Sequence, residues 1–392
     1  MAKQRRKVVW ILGSGFSKSL GGPLLKDLLT KRRHDLVDVT FTGPALPKDR
    51  LIAYNIFDNF RETPAKAGYW EHAEEFLDFV DAASDPASPR YALLNQLLRA
   101  KTQAHSVEEL RDFALLSVAS ECSTYTTTDH LRGESWDPYL RFKNALVGAP
   151  DAIITFNYDI VLERMNLNGE MDNFGLHTVR HPYDPRYEGP KVPIYKLHGS
   201  ANWIQKGDDR DTFGTVGRLS ALMAPEMKGF RPLIAAPGAT KKLMCKGAFE
   251  QIWDDAKREL MLADVVVFIG YRFPPSDSHA RSEILGALVE NDAPYLRIHT
   301  VLGPNLNEPD TVRLTNLLHH TMRRSGKQHN DDPQGIVNQQ EAQKQHVYDL
   351  VQQPLWAEDF LSVADDEELF GPLPELMYRP QQLAENDRRD DR

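Results

Sequence analysis

The sequence predicts an α/β protein, a Rossmann-like, doubly wound parallel sheet with a helical lobe inserted into it. Three observations carry that reading. Short, apolar, β-branched runs recur along the chain and each ends on a turn signal, as strands buried on both faces do. Helical stretches separate several of them, and strands alternating with helices make a parallel sheet. Between the first run and the second lies a long interval, 31–150, that reads mostly helical and exceeds an ordinary βα crossover.

The strands are expected at VVWIL (8–12), AIITF (152–156), PIYKLH (193–198), LIAAP (233–237), DVVVFIG (264–270) and RIHTVL (297–302). In the long interval, EEFLDFVDAAS (74–84) and ALLNQLLRAK (92–101) carry apolar residues at helical spacing. SVEELRDFALLSVASE (106–121) opens with Ser106 and Glu109 in capping-box spacing. FEQIWDDAKRELMLA (249–263) leads into the fifth strand, and SHARSEILGALVEN (278–291) leads out of it. The chain thus divides into three parts: a sheet domain from 1–30 and 151–305, the inserted lobe 31–150, and a C-terminal extension 306–392 ending in a flexible acidic tail. The apolar group Leu369, Phe370 and Leu373 in that extension is expected to dock on a neighbour.

The 392 residues suffice for a large core, and 41% hydrophobic with 26% charged residues is ordinary for a soluble globular chain. A net charge of -9 argues against a nucleic-acid-binding surface. Cys122 and Cys245 are the two cysteines, too few for a four-thiolate zinc site or a disulfide framework, which fits a reducing cytoplasm. The N-terminal MAKQRRKVVWIL turns from basic to apolar, but its apolar run stops at Gly13, too short for a signal-peptide core. No apolar run approaches the ~20 residues of a membrane-spanning helix. No membrane partner is expected.

Chemistry-bearing residues gather where strands end. Gly13-Ser14-Gly15-Phe16-Ser17 comes directly after the first strand, and glycines there let backbone approach a pyrophosphate while the next helix offers its amides. The third glycine of a full dinucleotide fingerprint is replaced by Lys18, and the bland reading is a tight strand-to-helix turn with Ser17 as its cap. Thr155-Phe156-Asn157-Tyr158-Asp159 places an amide and a carboxylate two residues apart, with helix capping by Asp159 as the structural alternative. Lys196-Leu197-His198-Gly199-Ser200 sets a histidine at a strand end with glycine behind it, open either to general-base work or to a structural role. Gly270-Tyr271-Arg272-Phe273-Pro274-Pro275-Ser276-Asp277 and Val301-Leu302-Gly303-Pro304-Asn305 are small-residue loops suited to adenosine contacts.

Taken in order, GSGFS, TFNYD, KLHGS and GYRFPPSDSH resemble the sirtuin domain, and among its members the bacterial sirtuin-like proteins of anti-phage defence more than the protein deacylases. The resemblance runs from Val8 to Asn305. It lacks the four-cysteine zinc ribbon of deacylases, and Pro23 is followed by Leu24-Leu25-Lys26 where they carry a Pro-Asp-Phe-Arg-like stretch. The resemblance implies an NAD+ hydrolase that releases nicotinamide and ADP-ribose without a metal. Asn157 would fix the ribose and the attacking water, His198 would serve as base, and Asp159 would orient the ribose or brace its loop. Gly13, Ser14, Gly15 and Ser17 would cradle the pyrophosphate, Gly270 and Asn305 would line the adenosine side, and Phe16, Thr155, Tyr271 and Asp277 would also belong to the cofactor site. A homo-oligomer, and a partner such as a translocase-type ATPase, are implied by the same likeness. Two other readings stay open: a transferase of ADP-ribose or acyl groups, and a non-catalytic NAD-binding subunit.

Overall fold

The computed structural model describes residues 6–30, 73–83, 85–101, 107–126, 134–146, 149–165, 176–178, 192–206, 213–215, 230–235, 248–329 and 346–363. In chain order its elements are β1 (Val8–Leu12), α1 (Ala73–Ala82), α2 (Pro89–Lys101), α3 (Val107–Thr124), α4 (Asp137–Leu146), β2 (Ala152–Thr155) and α5 (Val161–Met165). Next come β3 (Leu176–Thr178), β4 (Val192–Lys196), β5 (Gly199–Lys206), β6 (Phe213–Thr215), β7 (Phe230–Ile234), α6 (Ala248–Met261) and β8 (Val265–Ile269). The chain closes with α7 (Ser278–Val289), β9 (Tyr295–Val301), α8 (Pro309–Arg324), β10 (Gln328–His329), β11 (Val347–Gln353) and α9 (Ala357–Val363). Ser106 of the expected capping box, Cys245, and the group Leu369, Phe370 and Leu373 lie outside the described residues.

β1 is central, and its side chains show why. Val9 and Ile11 pack into a core formed with α6, α7 and α8, whereas Val8, Trp10 and Leu12 pack into a second core with α4, α5 and α9. A strand covered on both faces has no polar side to show, which is why VVWIL reads as a continuous apolar run. Its start is fixed by buried Asp151, which accepts from the Val8 amide and the Trp10 indole, each at 3.2 Å. Among the described residues the main sheet has eight strands, all parallel, in the order β10-β11-β9-β8-β1-β2-β4-β3. Within it, β4-β2-β1-β8-β9-β11 is the doubly wound arrangement in which the chain reverses direction at β1 and β8.

The structure departs from the sequence reading in three places. LIAAP contributes to β7, which joins a separate antiparallel sheet, β6-β5-β7, and not the parallel one. β5 leaves the two-residue turn after β4 directly, so its partners are local, and an apolar run alone does not specify which sheet it enters. α4 lies at the end of the helical interval yet packs on the main sheet, where Phe142 meets the Trp10 ring edge-on at 4.8 Å. The extension beyond 306 supplies β11 and α9, whose Tyr348, Phe360 and Leu361 are buried in the two cores of the sheet. A third core joins α1, α2 and α3 to Ala201 of β5 and Ile234 of β7. The helices of the interval therefore sit against the strand that begins at Gly199. No helix among the described residues is long and apolar enough to cross a membrane.

Tyr348 tests whether the extension is structural. It is fully buried and its hydroxyl meets His319 Nδ1 at 3.0 Å. Tyr348→Ala is expected to cost about 3 kcal/mol, as for a large aromatic in any well-packed core. Urea unfolding of parent and variant measures this, and a loss below about 0.5 kcal/mol would mark β11 as a surface appendage.

Candidate active site

Strand register brings the motifs together. Leu12 is level with Thr155 and with Ile269, Thr155 with Lys196, and Ile269 with Val301. Gly13, Phe156, Leu197, Gly270 and Leu302 therefore leave the same carboxyl edge of the sheet, the edge at which open α/β sheets hold ligands. There Gly13, Phe156, Gly270 and Leu302 line a cavity of about 820 Å³ that reaches from Asn157 and His198 to Trp356.

The glycine turn does something other than leave room for a ligand. Gly13 N–H donates to Ile269 O at 2.9 Å. A Cβ placed on Gly15 would lie 2.7 Å from the Gly270 Cα, and one on Gly13 would lie 2.5 Å from the Gly270 carbonyl oxygen. Gly270 has φ +64°, and its own Cβ would meet the Gly15 Cα at 2.4 Å. The absent side chains point at the loop after β8, so the glycines let two strand-end loops touch backbone to backbone. Ser14, Gly15 and Lys18 line the cavity beside that contact. Phe16 turns away into the core, edge-on to Tyr139 at 5.2 Å.

TFNYD holds its amide and carboxylate in different ways. Phe156 N–H donates to Leu12 O at 3.0 Å, which carries the β1–β2 pairing one residue further. Thr155 Oγ1 then accepts from Asn157 N–H at 3.1 Å and fixes the bend. Asn157 Nδ2 donates to Gly13 O at 2.9 Å, tying this loop to the glycine turn. The carboxamide oxygen has no partner among the described residues, and Asn157 lines the cavity. Asp159 is tied down at both oxygens: Oδ2 accepts from Ser17 Oγ at 2.8 Å and Oδ1 from the Val161 amide at 3.1 Å, which starts α5. Burial pushes its carboxyl above the usual range, opposed by the Lys196 charge and by those two hydrogen bonds. Lys196 reaches Asp159 O and pairs with Glu163 at 2.9 Å.

His198 is 6% exposed. Its Nε2 lies 3.8 Å from Asp277 Oδ1, within ion-pair reach and longer than a hydrogen bond. Tyr271 donates to Asp277 Oδ2 at 3.0 Å and stacks on Phe156, with 4.0 Å between ring centroids and 7° between planes. Phe156 in turn meets the His198 ring edge-on at 5.0 Å. The four side chains make a closed circuit across the ends of β2, β4 and β8. Burial and then the Asp277 charge raise the Tyr271 hydroxyl well above its ordinary range, so Tyr271 stays a donor to that carboxylate. A second buried carboxylate, Glu74 of α1, enters the cavity and accepts from Ser276 in the loop that carries Asp277.

The cavity thus joins Gly13, Ser14, Gly15, Ser17, Asn157, Asp159, His198, Gly270, Tyr271 and Asp277. Phe16 and Thr155 support it from the core, and Asn305 stands apart, its Oδ1 accepting from the Asn307 amide at 3.2 Å. Sequence reading missed Glu74, Arg272, Arg313 and Trp356. Arg272 stood within a motif already marked, and nothing local marks the others. Arg272 pairs with Glu308 at 2.6 Å and donates to Leu302 O at 2.7 Å; Arg313 donates to Phe273 O at 3.1 Å. These bonds hold the backbone at Phe273, whose φ of +49° is costly for a non-glycine residue. No group of three or more His, Cys, Asp or Glu among the described residues is arranged to hold a metal ion.

No family model matches the chain, and no curated protein does. Among solved structures it is similar to a mutant Sir2 homologue in complex with ADP-ribose, with 13% identity over 81% of this chain and 92% of that one and a TM-score of 0.34. Sir2Tm bound to a propionylated peptide matches at 13% identity over 82% and 94%, with a TM-score of 0.31. Sir2 with a p53 peptide and NAD+ matches at 13% identity over the same shares, 82% and 94%, with a TM-score of 0.29.

The glycine contact gives a direct test. Gly15→Ala must push the β8 loop away and is expected to cost about 1–3 kcal/mol, as overpacking does. Gly286→Ala, on an open face of α7, should be neutral or stabilise by up to about 1 kcal/mol. Melting curves of both variants compare the two sites, and equal behaviour would contradict the backbone-to-backbone packing.

Proposed function

We propose that this cavity hydrolyses NAD+ at the nicotinamide–ribose bond. The observation that carries the reading is the convergence of Asn157, with a free carboxamide oxygen, and His198, backed by Asp277, on a cavity floored by the glycine turn. In the reaction, the bond between ribose C1′ and the pyridinium nitrogen breaks and its electron pair goes to nicotinamide, which leaves neutral. The oxygen of a water molecule bonds to C1′, and the water loses a proton. The products are nicotinamide, ADP-ribose and that proton.

Each residue has a task in this scheme. The Gly13 carbonyl holds Asn157 Nδ2, so the carboxamide oxygen is turned to accept from the attacking water or a ribose hydroxyl. His198 takes the proton, and Asp277 stabilises the imidazolium that forms. Asp277 and Glu74 give this end of the cavity a negative field, which favours the positive charge that grows on the ribose ring in the transition state. Asp159, bonded at both oxygens, braces the loop and does not enter the reaction. Ser14, Gly15 and Lys18 offer donors to the pyrophosphate. No step calls for a metal.

The motif likeness supports a role as the NAD-depleting effector of an anti-phage system, held inactive until an assembly or partner protein releases it. The lobe 31–150 and the extension offer the surfaces for that control. Product analysis tests the chemistry: purified protein, alone and with candidate partners, is mixed with NAD+. Nicotinamide and free ADP-ribose in equal amounts support hydrolysis. Nicotinamide with ADP-ribose bound to an acceptor would identify a transferase, and binding without turnover a regulatory subunit.

Asn157→Ala and His198→Ala should each lower kcat by about two to four powers of ten while NAD+ still binds within about tenfold of the parent. Calorimetry, turnover and melting temperature together check this, because a structural role would make activity follow the folded fraction. Asp277→Asn removes the charge that favours protonated His198, so the imidazole loses its proton at lower pH. The acid limb of the kcat profile should move to lower pH while its maximum falls. An unmoved limb would separate His198 from the proton transfer.

A further inference from the structure

The sequence of the C-terminal extension shows no chemistry, yet the fold delivers part of it to the cavity. β11 pairs with β9 so that Gln353 is level with Val301. Pro354, Leu355 and Trp356 therefore leave the same carboxyl edge as the glycine turn, TFNYD and the β8 loop. Trp356 is fixed there by its neighbours. Gly303 N–H donates to Leu355 O at 3.0 Å, and the Gly303 Cα lies so close to the indole that a Cβ would stand 2.6 Å from Cζ3. At 44% exposure the ring is the most exposed large hydrophobic side chain among the described residues, and it lines the cavity.

Its position in the strand order is informative. Going from β11 to β4, the sheet passes β9, β8, β1 and β2. Trp356 and the pair Asn157 and His198 thus stand on opposite sides of the glycine turn, with Lys18 reaching from that turn to 4.9 Å from the indole centroid. A dinucleotide with its reacting ribose at Asn157 and its pyrophosphate at the turn must extend its other nucleoside toward Trp356. We propose that Trp356 is the stacking platform for the adenine of that dinucleotide. The inference rests on the reading of this cavity as an NAD+ site. Lys18 now holds a cation–π position over the ring. A pyrophosphate bound at the turn draws the ammonium away and leaves the indole to the base.

Calorimetry with ADP-ribose, which the proposed reaction does not consume, tests the platform. Trp356→Ala should weaken ADP-ribose binding roughly tenfold, the scale of base–aromatic stacking. Trp356→Phe should keep most of the affinity, and both variants should melt within a few degrees of the parent. A parent that binds ADP-ribose and a Trp356→Ala variant that binds it equally well overturn the platform alone. So does a loss that Trp356→Phe shares in full, since that ties affinity to something other than an aromatic face. A parent that binds neither ADP-ribose nor NAD+ overturns both the platform and the reading of the cavity beneath it.

Discussion

The structure of the site depends on one close contact, the meeting of Gly13 and Gly15 with Gly270. β1 and β8 are neighbours at the point where the winding reverses, so their carboxyl-end loops leave side by side. In most sheets, side chains would keep such loops apart. Here three glycines remove them and the backbones meet. The candidate site is built out from that junction. The Gly13 carbonyl orients Asn157, and the chain after Gly270 carries Tyr271 and Asp277 across to His198. A shift of the glycine turn would move the amide and the imidazole relative to each other, and reacting groups tolerate little displacement.

Around that junction the chain buries charge that would be costly elsewhere. Asp159, Lys196 and Glu163 form one buried group, closed by Ser17 and the first turn of α5. Asp277 and Glu74 are a second, and both act to keep the Tyr158 and Tyr271 hydroxyls protonated after burial has done the larger part. The two groups differ in purpose. The first is satisfied at nearly every atom and holds a loop. The second faces the cavity, with His198 3.8 Å from Asp277, a separation that substrate can close. Two carboxylates lining one cavity suit the proposed reaction, in which positive charge appears on a sugar.

Much of this was legible in the sequence because strands buried on both faces have a strong signature. VVWIL, AIITF and DVVVFIG announce themselves, and the loop after each one, at the sheet edge, is the place to look for function. VYDLVQQ did not announce itself. β11 interrupts its apolar residues with Asp349 and ends on two glutamines, its second half is only partly buried, and a polar stretch precedes it. LIAAP had the composition of a core strand and entered the small antiparallel sheet, since composition reports burial and not partner. The glycines after β1 read as a place where backbone approaches a pyrophosphate; the structure shows the β8 loop packed against them. Glu74 stayed hidden because only the packing of α1 against the strand-end loops brings it to Ser276.

The distribution of site residues along the chain bears on control. Motif residues come from the loops at the carboxyl ends of β1, β2, β4 and β8. Glu74 comes from the first described helix of the long interval and Trp356 from the extension, and both line the same cavity. Glu74 accepts from Ser276 in the β8 loop, and Trp356 packs on Gly303 with Lys18 over its ring. Anything that shifts α1 or α9 relative to the sheet therefore changes the electrostatics at one end of the cavity or the stacking surface at the other, without touching Asn157 or His198. On the proposed reading, a partner that contacts these segments differently in two states would raise or lower activity through them, while the glycine junction holds the Asn157 amide in place.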